Sequence, residues 1–141
     1  MKYIIPIIAA FLMFTIRAQA QVTPIRTGWH SLTIQWISFN EAEPGRVYIR
    51  SIGKDEYSIQ GEQVDRDSKE YVKINGTLLN KGRTLKFNGN IVSKINSNND
   101  GQPCELNGLY LFKASGVRKY WRLQHLLNCD GETTDYIDIF F

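Results

Sequence analysis

Basic and aromatic side chains interleave over Arg118-Lys119-Tyr120-Trp121-Arg122-Leu123-Gln124. Rings of this kind stack on bases or sugars, and a guanidinium forks onto a carboxylate through two parallel N–H donors. Strand alternation sorts the stretch into two faces, Trp121, Leu123, His125 and Leu127 on one, Tyr120, Arg122 and Gln124 on the other. In one register Arg122 or Arg118 meets Asp135 or Asp138 across a hairpin as an ion pair. In the other, Arg122 points inward and gives an interior pocket a fixed cation that prefers a carboxylate.

Catalytic constellations are sparse. His30 and His125 are the only imidazoles, and spacing gives neither a nucleophile nor an orienting partner. Asp135 and Asp138 fall on opposite faces of one strand, so they do not flank a glycosidic bond together. The chain has no G-x-S-x-G elbow, no H-E-x-x-H, no phosphate-binding glycine loop and no C-x-x-C. The expectation is a non-enzyme without a cofactor. Asn96 to Gly101 matches the first half of a calcium loop, but the twelfth position is Asn107 where a bidentate Glu is needed. Asn128 to Glu132 reads as an Asp-Gly hairpin turn, and no metal site is expected. Asn75-Gly76-Thr77 is a glycosylation sequon where the host's secretory route uses one.

The elements that must position these groups are strands. Leu32, Ile34 and Trp36 alternate with polar residues, and Val47 to Arg50, Tyr57 to Ile59 and Tyr71 to Leu79 follow. Asn80-Lys81-Gly82-Arg83 reads as a hairpin loop before Leu85 and Phe87, which lead into Ile91 to Ile95. Leu109 to Phe112, Tyr120 to Leu127 and Thr133 to Phe141 complete eight or nine short strands. An apolar-[Asn/Gln]-Gly pattern recurs at Ile59-Gln60-Gly61, Ile74-Asn75-Gly76, Phe87-Asn88-Gly89 and Leu106-Asn107-Gly108. Glycine within a strand marks a bulge or a bend where a sheet curls. The fold class is therefore all-β, a compact antiparallel barrel of about eight strands, with a β-sandwich as the alternative.

The chain begins with Lys2, an apolar run from Tyr3 to Ile16 and an A-x-A site at Ala18-Gln19-Ala20. Residues 1–20 are expected to be a signal peptide and 21–141 a single β domain, secreted or periplasmic. Of 17 basic and 14 acidic residues, Lys2 and Arg17 go with the signal, leaving 15 basic residues and a net charge of +1. That balance offers no electrostatic case for nucleic acid or for anchoring on an anionic membrane. Cys104 and Cys129, an even pair in an exported chain, are expected to form one disulfide.

Thr27-Gly28-Trp29, Thr134-Asp135-Tyr136 and Arg122 resemble fragments of the lipocalin signatures. In that family a G-x-W tryptophan packs under a late-strand arginine, and a T-D-Y turn lies between them. Here Trp29 directly follows Gly28, and the T-D-Y triplet comes after the arginine. The resemblance implies a small calycin-type barrel, nearer in size to the avidin-like and fatty-acid-binding barrels. The closing segment also looks like that of small uncharacterised secreted bacterial proteins. The functional expectation is a barrel that holds a small apolar or sugar-like ligand among Trp36, Tyr110 and Trp121, with Arg122 at the site. Its alternative is a protein-interaction module whose interior those same rings fill.

Overall fold

The computed structural model describes residues 21–141. The expected signal peptide lies outside the described residues. Among the described residues there are eight strands: β1 (Gly28–Ile34), β2 (Arg46–Gly53), β3 (Glu56–Val64), β4 (Tyr71–Asn80), β5 (Thr84–Lys94), β6 (Cys104–Lys113), β7 (Tyr120–Leu123) and β8 (Ile137–Phe140). Each pairs antiparallel with the next, and β8 pairs with β1 through Leu32↔Ile139, so the sheet closes into a barrel. The sandwich alternative falls. A single 3₁₀ turn, Asn99–Gly101, is the only helical element among the described residues.

Period-two alternation builds the interior. β4 buries Val72, Ile74 and Leu78 and exposes Lys73, Asn75 and Thr77. Inward residues of all eight strands merge into one cluster that includes Leu32, Ile49, Ile59, Phe87, Phe112 and Leu123. Both mouths are stoppered. At one end the segment before β1 crosses the opening: Ile25 is buried, its N–H donates to the Tyr57 hydroxyl at 3.1 Å, and Asn80 Nδ2 donates to the Thr23 carbonyl at 2.9 Å. At the other end Ile37 and Ile95 are buried, and the inward Gln63 accepts the Ile34 N–H at 2.9 Å.

Gly61, Gly76, Gly89 and Gly108 all sit at inward positions, and Gly76, Gly89 and Gly108 stand beside one another in register. A Cβ on Gly76 would lie 2.4 Å from the Asn88 carbonyl oxygen and 2.7 Å from the Phe87 ring. Gly76 and Gly89 let neighbouring backbones close over Phe87, and Gly61 lets β3 close on β2, which bends the wall inward. The register runs through them without a bulge; the one irregularity is between Ser51 and Gly53.

The seam between β6 and β7 is short, with only Phe112↔Leu123 and Lys113↔Arg122 in register. Beyond it the Gln124 N–H donates to the Leu111 carbonyl at 2.8 Å, and Tyr110 packs edge-on against His125 at 5.5 Å. Cys104 and Cys129 form a disulfide that closes the far end of the gap. On the opposite flank His30, buried in β1, places Nδ1 2.7 Å from the Phe140 carbonyl and Nε2 2.6 Å from the Arg26 carbonyl. The ring thereby ties β1 to β8.

Three strand expectations are corrected. β1 ends at Ile34 because the chain turns there, the Ile37 N–H reaching back to the Ile34 carbonyl, so Ile37 rather than Trp36 takes the next buried place. β7 ends at Leu123, and His125 and Leu127 are exposed instead of continuing the Trp121 and Leu123 stripe. There the chain leaves β6 and pairs with the segment before β8, through Leu127↔Thr134. That segment is a connection, and β8 starts only at Ile137.

Candidate binding cleft on the outer wall

Trp36, Tyr110, Trp121 and Arg122 lie in four different places and line no common pocket. Trp36 stands half-exposed beside the Gln63 mouth, its indole N–H donating to Asp135 at 2.9 Å. Trp121 is buried near the opposite mouth, where its N–H meets the Gly82 carbonyl at 3.3 Å and its ring packs on Phe141. Tyr110 is half-buried at the seam, in an open apolar notch of about 470 Å³ with Leu109, Leu111 and His125. Arg122 points outward, held by Asp138. The ligand-lining set expected from Trp36, Tyr110 and Trp121 is not assembled in the interior, where aliphatic side chains pack with Phe87 and Phe112 instead.

The pairing expected for the lipocalin signatures is not formed. Trp29 packs edge-on against Tyr48 on the outer wall, ring centroids 5.1 Å apart. The Arg122 guanidinium lies 4.2 Å from the Tyr136 ring centroid and 5.2 Å from that of Tyr120.

A larger cleft, about 730 Å³, opens on the outside of the wall over β1 to β5. Its axis is a cross-strand row. Trp29 pairs with Tyr48, Tyr48 with Gln60, Gln60 with Asn75, and Asn75 with Asn90, each directly opposite the next. Asn107 extends the row onto β6. A parallel row two residues along carries Arg46, Glu62, Lys73 and Val92. The inward bend at Gly61 lowers the floor of the cleft, where Gly61 and Ile74 contribute to its lining.

Chemically the cleft is an apolar platform followed by amides. Trp29 is 57% exposed, an unusual place for so large a ring, and Tyr48 beside it is also open to solvent. Gln60 and Asn75 are exposed with no side-chain hydrogen-bond partner among the described residues, so each offers a free donor and a free acceptor. Asn90 donates to Glu105 at 2.6 Å and keeps its carbonyl oxygen. Lys73 approaches Glu62 at 3.7 Å and the Tyr71 ring at 4.7 Å. No histidine, cysteine or serine lines this cleft.

The two loops weighed for calcium meet at Asp130. Its carboxylate accepts from the Thr133 hydroxyl and N–H, from the Glu132 N–H and from the Asn99 N–H. These bonds, the Thr133 hydroxyl foremost, pull its pKa from the ordinary 3.8 down to about 2. The carboxylate is committed to holding two loops together. Among the described residues no group of three or more His, Cys, Asp or Glu converges.

The row was missed in the sequence, although three of its members, Gln60, Asn75 and Asn107, belong to the apolar-[Asn/Gln]-Gly pattern. The glycines of that pattern report only the bends. Because the glycine points inward, the polar residue before it points outward, and that alternation is the signal the sequence carries; which amides face one another is set by the strand registers.

The family model described as the PM1083 family matches residues 15–141. A Pasteurella multocida (strain Pm70) protein, Uncharacterized protein PM1083, is 33% identical over 132 residues, covering 92% of this chain and 82% of that protein. No solved structure matches the chain.

Proposed function

The chain belongs to the PM1083 family, and from the geometry of its wall we propose that it is a non-catalytic barrel that binds a sugar-like ligand on its outside. The Cys104–Cys129 disulfide suits a non-reducing compartment, such as the periplasm or the cell exterior. Export through the N-terminal segment is part of the same proposal. Among the described residues no helix is long and apolar enough to cross a membrane.

The observation that carries the proposal is the in-register row of Trp29, Tyr48, Gln60, Asn75 and Asn90. Sugar rings present an apolar C–H face and a rim of hydroxyls. An exposed indole takes the first, and side-chain amides, each both donor and acceptor, take the second. The interior is lined by buried apolar side chains, which favours the wall as the place for recognition. Glu62 is the single carboxylate in the lining, so the carboxylate pair that glycoside hydrolysis uses is not assembled there, which supports holding the ligand over turning it over.

Calorimetric titration with a panel of neutral and charged oligosaccharides tests this. At least one should bind, with loss of about tenfold or more in affinity in Trp29→Ala, a stacking ring on the rim. Silence across the panel would overturn the saccharide reading and favour contact with another protein.

A further inference from the structure

We infer that the wall cleft selects an anionic saccharide chain, one bearing carboxylate or sulfate groups, and that the chain lies across the strands with its acidic group at the Trp29–Tyr48 end. This rests on the saccharide reading of the same cleft and narrows it.

Orientation follows from the row. From Trp29 to Asn90 the ladder crosses four inter-strand steps. At about 4.8 Å each these span roughly 19 Å along the wall, room for several linked sugar units. A ligand lying along one strand would meet alternating charged and aromatic residues of β2 and no succession of amides. A ligand crossing the strands meets platform, amide, amide and amide in turn.

Charge is distributed unevenly along that path. Arg46, Tyr48 and Arg50 occupy successive outward positions of β2, so a guanidinium flanks the ring on each side. Arg50 leans over Tyr48, 5.7 Å from its centroid. Arg46 lines the cleft and has no carboxylate within ion-pair distance among the described residues. Glu62 is the one carboxylate in the lining, and Lys73 engages it. The platform end therefore holds two guanidiniums outside any ion pair, Arg50 and Arg46, the latter opposite Glu62 but beyond ion-pair distance of it, with fork geometry suited to a planar carboxylate or to two sulfate oxygens. At the opposite end Glu105 takes the Asn90 amide and repels acid groups. The mature chain is nearly neutral in sum, so attraction to anions is local to this end.

The test titrates the intact disulfide-bonded protein with an oligogalacturonide, a sulfated dextran oligomer, its unsulfated counterpart and a single-stranded oligonucleotide of similar charge. The uronide or the sulfated glucan should bind about tenfold more tightly than the neutral glucan, and whichever does so names the acidic group. Arg46→Gln should abolish that preference, so that anionic and neutral sugars bind the variant with affinities within about twofold of one another. Equal binding of neutral and anionic sugars would overturn the anionic selection and leave the saccharide reading standing, as would an unchanged preference in Arg46→Gln. Binding to no sugar would remove both. An oligonucleotide that binds as tightly as the uronide, with the same dependence on Arg46, would show general polyanion attraction and overturn the inference. Arg46 is exposed, so an unaltered melting curve for the variant confirms that the fold is not the cause.

Discussion

Arg122 and Asp138 stand directly opposite each other on β7 and β8 and share two parallel hydrogen bonds, Nε to Oδ1 and Nη2 to Oδ2, each of 2.8 Å. Tyr120 and Tyr136 cover the guanidinium, and Asp138 is 7% exposed although its strand position faces outward. The hydrogen bond that Arg122 donates to Asp138 raises the pKa of the guanidinium, against the opposing effect of burial. The two shortest strands of the barrel are thus held by a charge-assisted fork on their outer side.

Removing one partner strands the other. Arg122→Ala should cost about 2–4 kcal/mol, because a buried carboxylate loses its counter-charge and its donors. Replacing both residues by Leu should recover much of that loss. Urea midpoints of the two singles and the double close the cycle, and a strictly additive double variant would show that the pair is uncoupled.

Glycine is required at Gly76 by space. The nearest atoms to a new Cβ are backbone and the core ring of Phe87, at 2.4, 2.7 and 2.9 Å. Gly76→Ala should therefore destabilise by about 3 kcal/mol or more, as overpacking against atoms that cannot retreat does. Gly53→Ala, whose nearest neighbour is the Glu56 side chain at 3.4 Å, should be nearly neutral. Equal thermal shifts for the two variants would refute the distinction.

The Cys104–Cys129 bridge spans 25 residues of sequence. In the chain-entropy account a loop of this size stabilises by about 3 kcal/mol. The denatured, unreduced protein should show no titratable thiol. Cys104→Ser/Cys129→Ser should unfold at correspondingly lower urea, and exchange of amides on the Tyr110 side of β6 should accelerate first, since the bridge shuts the open part of that seam.

Acid stability carries the sign of Asp130. Its folded pKa is about 2 against an ordinary 3.8, so the stability it confers is present above about pH 4 and is lost as pH falls through 2. Asp65, lowered by the backbone N–H groups of Ser68 and Asp67, contributes in the same direction. Asp130→Asn should flatten the fall in urea midpoint over that window without abolishing it. An unchanged slope would show that the loop contacts do not depend on the ionised carboxylate.

Much of the architecture was legible because it depends on neighbours in sequence. Alternation around Leu32, Ile49, Ile74 and Phe87 reports a one-sided wall, and repeated in-strand glycines report curling. What escaped depends on residues far apart. Trp36 continues the Leu32 and Ile34 alternation perfectly in sequence, yet the turn at Ile34 lifts it from the core. His125 likewise keeps the phase of Trp121 and Leu123 after the strand has ended. The outer row joins Trp29 to Asn90 only through four strand registers, and no local pattern fixes all four. A cross-strand ion pair of Arg122 or Arg118 with Asp135 or Asp138 was readable because the two strands are joined by one connection, but only the register selects Arg122 and Asp138.

The contact of His30 with the Phe140 carbonyl links positions 110 residues apart, and it has a consequence for the order in which the molecule is assembled. A ring of adjacent hairpins can be laid down progressively, β1 with β2, then β2 with β3, as each segment becomes available. Its last joint cannot. Until β8 arrives, β1 and β7 are raw borders with unpaired amides and carbonyls, ready to recruit a neighbouring molecule. A chain without that last joint is a curled open ribbon, and the piece that closes it is a four-residue strand. Any delay in delivering that short closing piece lengthens the interval in which the protein is most prone to self-association.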